Sequence, residues 1–452
     1  MSRSTVRRLA WSAMATGAVA ILPTALAAQR VPAEHPAVKA MLATLESENA
    51  WTLEQQRTIC EIPAPPFGEA ARGQELERRL RGLGYREITV DAVGNVIALR
   101  KGAGDGPRVV VSAHLDTVFP EGTNVSVTVA GTRLSGPGIG DDCRGLAVLL
   151  AVARVLSRSG VATQGDLLLV GTVGEEGPGN LRGVRHLFEA RSAGRIDAFI
   201  SIDGTGLGLT SRAVGSHRYK VTFSGPGGHS YGAFGMPNPM HAMGRAIAAI
   251  ADLEVPASPK TVFNVGIVEG GVSVNSITST ATMQVDLRSE SPTELGKLDD
   301  AFQRAVQKAV EAERRRWPGS QEGLDVAVED IGKRPAAAPA DTAAIVRTAQ
   351  AAARALGLPS PETSASSTDA NIAMSPGCPP SRSTAVAKGW GPLLGEWYDD
   401  GSEAIVARRA LDRARSGWVQ RVSEGAPGPG RVPGPDARCY RASRPDDRPS
   451  TG

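Results

Sequence analysis

The stretch RVVVSAHLDTV, residues 108–118, decides the fold. Three consecutive valines lead into His114 and Asp116. A short β-branched run that ends abruptly in polar side chains reads as a buried strand entering a site. The neighbouring sequence repeats the pattern. GLAVLLAVARVLSRSG (145–160) reads as a helix, DLLLVGTVGEEG (166–177) as a second strand and loop, and IDAFISIDG (196–204) as a third strand. Strands alternating with helices predict an α/β unit, a mostly parallel sheet flanked by helices. Such sheets bind ligands at the carboxyl ends of their strands, where these polar residues recur.

Upstream, VKAMLATLESENAWTLEQQRTICEI (38–62) has helical periodicity. The loop PAPPFGE (63–69), a second helix and a strand pair turning at Gly94-Asn95 follow. From about residue 215 the texture changes. HRYKVTFSGPGGHS, TVFNVGIVEGG and TSTATMQVDLRS read as antiparallel strands, and two helices interleave with them (238–253 and 291–317). A helix of the first type returns at 341–359. The organisation expected is a catalytic unit in two parts, 28–214 and 328–400, interrupted by a compact α+β insert at 215–327.

Arg3, Arg7 and Arg8 precede an apolar run ending in Ala25-Leu26-Ala27, which reads as a signal peptide over 1–27 and predicts export. The arginine pair lacks twin-arginine flanks, so the general secretion route is expected. No other run is long and apolar enough to span a membrane. The formal charge of +3 is misleading. Residues 1–27 hold three Arg and no acid, and 401–452 hold ten Arg against six Asp/Glu, which leaves 28–400 at −4. An acidic body gives no reason to expect nucleic acid. Cys60, Cys143, Cys378 and Cys439 form no CxxC, and their pairing is open.

Four strand ends collect metal-ligand chemistry. SAHLDTV offers His114, with Asp116 two residues on to accept the other imidazole N–H and set the tautomer. GPGIGDDCRG offers Asp141 and Asp142, and one carboxylate can bridge two cations. VGEEGPG offers Glu175 and Glu176, whose side chains point different ways, so one can bind metal while the other handles a proton. SIDGTG offers Asp203. Each motif alone has an ordinary explanation: a hydrogen-bonded pair, a helix N-cap, a solvated surface. Four acidic or histidine clusters, each closing a strand of one α/β unit, point together to a two-metal hydrolytic site.

In this order and spacing, SAHLDTVFP, GPGIGDDCRG, GEEGPGNLRG and SIDG resemble the zinc-dependent family of carboxypeptidases, tripeptidases, aminoacylases and acetylornithine or succinyl-diaminopimelate deacylases. EIPAPPFGE, GPGGHS, GGVSVNSI with VDLRS, and SSTDANI (366–372) fit the same family, the last its tripeptidase-like branch. The resemblance spans about residues 40–400. It implies a phosphorylase/hydrolase-like zinc peptidase domain with an inserted ferredoxin-like dimerisation or lid domain, and a homodimer. It implies two Zn2+ per subunit, with Co2+ or Mn2+ as alternatives. His114 would bind the first metal, oriented by Asp116, and Asp203 would complete it. Asp141 would bridge, with a cis Asp141–Asp142 peptide. Glu176 would bind the second metal, and Glu175 would be the general base. His229, Asn275 and Arg288 would contact the substrate's carbonyl or free carboxylate, the first two from the partner subunit. The remaining histidines, His35, His186, His217 and His241, fit no motif.

The resemblance also implies a further histidine, ligand to the second metal, shortly before GEWYDD (395–400). No histidine follows His241; Pro392 or Leu393 stands there. SPGCPPSRSTAVAK (375–388) departs from the expected apolar strand and glycine run, and the Arg- and Pro-rich 401–452 has the composition of a disordered chain. Two explanations stay open: an inactive or single-metal variant, or local frame changes in the coding sequence. Three functions are therefore carried forward: an exported exopeptidase on short peptides, an N-acyl-amino-acid amidohydrolase with the same site, and a catalytically dead scaffold.

Overall fold

The computed structural model of the chain describes residues 35–399, apart from 191–192, 207, 319–322, 339–342, 358–362, 376–383 and 389–396. The expected signal peptide, the 401–452 tail, Cys378, Cys439 and the Pro392–Leu393 position lie outside the described residues.

The strand opened by RVVVSAH runs Val109–His114 and is buried along its whole length. Val109, Val111 and Ala113 enter one hydrophobic core while Val110 enters another on the opposite side of the sheet. Side chains alternate across a strand, so a run apolar at every position is what a strand covered on both faces requires. Helix Cys143–Arg158 covers the first face, with helices Pro36–Ser47 and Asn49–Cys60 packed outside it. Helices Arg182–Glu189 and Ala370–Met374 cover the second. Each fully buried Leu or Val of these cores contributes about 1.5–3 kcal/mol.

The main sheet has eight strands, in the order Ile88–Val90, Val96–Arg100, Leu167–Thr172, Val109–His114, Ala198–Asp203, Thr384–Lys388, Leu209–Ala213 and Thr363–Ser366. It is mixed. Val109–His114 is parallel to both neighbours, and Thr384–Lys388 is parallel to Ala198–Asp203. The hairpin at one edge is antiparallel, and so is the bridge between Thr384–Lys388 and Leu209–Ala213. The segment expected to have lost its strand thus still contributes one, through TAVAK. Trp397–Asp399 of GEWYDD pairs with Arg133–Ser135 in a small three-stranded ribbon.

A second layer has its own core. Strands Thr261–Gly270, Thr280–Ser289, Gly215–Ser224 and Asp325–Arg334 form an antiparallel sheet in that order. Strand Thr280–Ser289 alternates between buried and less buried positions, because only one face is covered. Helices Pro239–Ala251 and Pro292–Arg316 cover it. Each helix starts with proline behind a capping side chain, Asn238 and Ser291 respectively. The layer runs to Arg334, past the boundary expected at 327.

Cys60 and Cys143 form a disulfide, Cα–Cα 5.4 Å. It ties the end of helix Asn49–Cys60 to the residue directly after the Asp141–Asp142 pair. The pairing the sequence left open is thereby supplied for these two cysteines.

Candidate metal centre

His114 is the last residue of its strand, buried, with its Nε2 2.9 Å from Asp141 Oδ1. Glu176 completes a group in which one ligand atom from each of His114, Asp141 and Glu176 lies within 4.8 Å of the others. Imidazole nitrogen with two carboxylates is the donor set of a borderline cation such as zinc. Asp203 is buried at the end of the next strand over and near enough to Asp142 to raise its pKa. It is not part of the 4.8 Å group among the described residues.

Asp141 and Asp142 are joined by a cis peptide and divide the work. Asp142 is the N-cap of helix Cys143–Arg158, accepting from Gly145 N–H at 3.0 Å. It also accepts from the backbone of His114 (2.9 Å) and Gly204 (3.1 Å), so one buried carboxylate pins three elements together. The ordinary cap explanation therefore holds for Asp142, and Asp141 is left facing the histidine.

Asp116 is fully buried. His114 Nδ1 lies 2.9 Å from its backbone carbonyl oxygen and 3.6 Å from its carboxylate. The carboxylate itself accepts the backbone N–H groups of Glu175 (3.0 Å) and Glu176 (2.8 Å). Asp116 thus aims the histidine with its main chain and the glutamate pair with its side chain. Gly174, with φ +65°, begins that loop: a Cβ there would meet the Arg182 guanidinium at 2.0 Å.

The protons in the cluster follow from its charges. Burial alone would lower the pKa of His114, but Asp142, Asp116 and Asp141 overcome it and hold it well above the ordinary value. Burial first, then repulsion by Glu175 and Asp141, pushes Glu176 up to about 9. Burial likewise raises Asp142. So many acids around one histidine hold their charge badly without a cation, and this fits the residues to a divalent metal.

Arg334, Arg72 and Asp369 were not anticipated from sequence. Arg334 Nη1 donates to Glu175 Oε1 at 3.0 Å, both side chains buried. Buried Arg72 donates to the carbonyls of Ile62 and Leu115 beneath the HxD turn. Asp369, from SSTDANI, lies under the cluster against Thr172. GKRP, EAARGQ and STDAN carry no ligand spacing, so only contact across the fold exposes these roles.

The substrate candidates lie in the second layer. His229 and Asn275 are exposed and neighbouring: the Asn275 carbonyl accepts from Ser230 N–H at 2.9 Å, and His229 sits opposite Ser276 in a short strand pair. Arg288 donates to Asp286 at 2.6 Å, and Asp286 also accepts from Arg218, which reaches the Gly177 carbonyl of the glutamate loop. Arg288 is therefore linked to the glutamate loop through that chain, whereas among the described residues no hydrogen bond joins the His229 or Asn275 side chain to the cluster.

An α/β sheet carrying a His–Asp–Glu cluster at its strand ends has the donor set to hold a divalent metal, and the family and relatives that the chain matches make it a metal-dependent hydrolase of the peptidase or deacylase kind. The chain belongs to the peptidase family M20/M25/M40, whose model matches residues 110–395. It is 28% identical over 279 residues to a succinyl-diaminopimelate desuccinylase of Corynebacterium glutamicum, covering 60% of this chain and 72% of that one. It is 27% identical over 252 residues to carboxypeptidase G2 of a Pseudomonas species, covering 52% and 59%. The fold is similar to that of an aminopeptidase from Bacillus cereus (TM-score 0.63, 20% identity, covering 81% of this chain and 98% of that one). It is also similar to a dipeptidase of Saccharomyces cerevisiae (TM-score 0.66, 13% identity, covering 84% and 97%). Among the described residues no helix is long and apolar enough to cross a membrane.

Proposed function

We propose that the chain is an exported exopeptidase that hydrolyses short peptides bearing a free carboxylate. The observation that carries this reading is the position of Glu175 beside the His114–Asp141–Glu176 group, its backbone held by Asp116. Zinc ions bound there, two per subunit, would polarise the scissile carbonyl and acidify a water. His114, Asp141, Glu176 and Asp203 would hold them. Glu175 takes the water's proton and delivers it to the departing amine. Arg288 offers the substrate carboxylate a two-pronged donor, already oriented by Asp286.

His229 and Asn275 reach the site from a second copy of the chain and donate to the developing oxyanion. The docking surface is the edge strand Thr261–Gly270, which exposes Val262, Ile267 and Val268. The buried disulfide accords with an oxidising compartment outside the cytoplasm.

The desuccinylase relative supports a second reading, removal of an acyl group from an N-acyl amino acid by the same chemistry. Zinc stoichiometry, measured alongside turnover of a tripeptide library and of N-acyl amino acids, tests both. Zinc retained and hydrolysis lost in Glu175→Ala supports the enzyme. No hydrolysis of either substrate class by a zinc-loaded wild type supports the scaffold instead.

A further inference from the structure

We infer that Arg334 is a positioning residue for Glu175, so that the base is set in place from the second layer. The inference rests on Glu175 being the base.

Arg334 grips Glu175 twice, through the carboxylate at 3.0 Å and through the residue's own backbone carbonyl. A third contact goes to Ser367 Oγ at 3.1 Å. Neutralising a buried charge needs only the first of these. Holding side chain and main chain together fixes the rotamer and the loop at once. Arg334 is also the last residue of its strand, at the point where the chain leaves the second sheet. The next carbonyl, of Pro335, accepts from Asn371, and Ala337 bridges to Ala213 of the main sheet.

The same strand end is stitched to the rest of the glutamate loop. Lys333 N–H donates to Asn180 Oδ1 at 3.1 Å, and Arg185 donates to the Lys333 carbonyl. From the neighbouring strand, Arg218 donates to the Gly177 carbonyl at 3.2 Å. The loop needs such outside support. Asn180 (φ 50°) and Leu181 (φ 61°) are consecutive non-glycine residues in the left-handed region, a conformation a short loop does not hold unaided. Any movement of the second layer is therefore passed to Glu175 through Arg334.

The test compares zinc-loaded, full-length wild type with Arg334→Met and Arg334→Lys. In Arg334→Met, hydrogen exchange across 174–182 is expected to rise about tenfold. Its kcat on a tripeptide is expected to fall about 100-fold with KM and zinc content unchanged. Arg334→Lys recovers part of this loss, and added guanidinium recovers part in Arg334→Ala. Unchanged exchange across the loop overturns the inference. So does a kcat within about twofold of wild type, or a loss that tracks zinc release and is not rescued. If Arg334→Met does not fold, Arg334→Lys and Arg334→Gln carry the same comparison. If wild type hydrolyses nothing, the hydrolase reading fails, and the exchange measurement still decides whether Arg334 orders the loop.

Discussion

Thr172 Oγ1 and Asp369 Oδ2 lie 2.6 Å apart beneath the metal cluster, although 197 residues separate them in sequence. The same hydroxyl lies 3.3 Å from the Ala113 carbonyl. The Thr172 hydroxyl has both the Asp369 carboxylate and the Ala113 carbonyl as acceptors for its one proton. Burial, reinforced by repulsion from Glu175, raises Asp369 to about 8 even against the hydrogen bond from Thr172, which lowers it. Asp369→Asn should therefore keep zinc binding and most of the stability, whereas Asp369→Ala opens a buried hole and costs about 2 kcal/mol or more.

The sign of the pH effect follows from the same shift. Between the ordinary Asp value and about 8, the folded state of the metal-free protein holds a proton that the unfolded chain has lost. The stability this gives is full at low pH and declines as pH rises, by up to about 1.4 kcal/mol per unit. Urea unfolding of metal-free wild type and Asp369→Asn from pH 5 to 8 measures it. An equal slope in both proteins removes Asp369 as the source.

Metal uptake should release protons. Glu176 is pushed up to about 9 and the surrounding carboxylates raise His114 in the metal-free cluster, and metal binds only the deprotonated forms. At pH 7 at least the Glu176 proton should leave on zinc binding, and affinity should climb as pH rises towards 9. Calorimetry in buffers of different ionisation enthalpy counts the protons. A buffer-independent heat would mean that the cluster is already deprotonated.

Cys60–Cys143 closes a loop over a sequence separation of 83 residues, directly behind the Asp141–Asp142 turn. Cys60→Ser with Cys143→Ser should lower stability by about 2–5 kcal/mol in urea unfolding. It should also weaken zinc binding, because Asp141 loses the anchor next to it. Unaltered zinc affinity would confine the bridge to general stability.

Histidine at Leu393 or Pro392 restores the ligand that the family resemblance implies for the second metal. Leu393→His is expected to tighten the second of the two zinc sites and to increase turnover. A second zinc held just as tightly by wild type would show that another residue fills the place.

The strand, the glutamate loop and the glycine-rich turn were legible because each is local. An apolar run ending in His114 and Asp116, or Asp141–Asp142 ahead of a helix, can be read within a dozen residues. The mixed character of the sheet was less legible. Antiparallel placement of Leu209–Ala213 beside Thr384–Lys388 depends on which distant strands meet. The roles of Asp116 and Asp142 were also refined by distance: the carboxylate near the histidine serves the glutamate pair, and the second aspartate serves three backbones.

By itself the sequence determined an α/β chain of this hydrolase family, with its ligand-type residues gathered at strand ends, because periodicity and strand-end chemistry are properties of neighbouring residues. Only the tertiary structure decided that Arg334 would face Glu175, that Asp369 would lie against Thr172 and that Cys60 would meet Cys143. These partners are 159, 197 and 83 residues apart. Their burial together is a consequence of the packed sheet and helices, in which a buried charge or polar group must find its partner wherever the fold brings one.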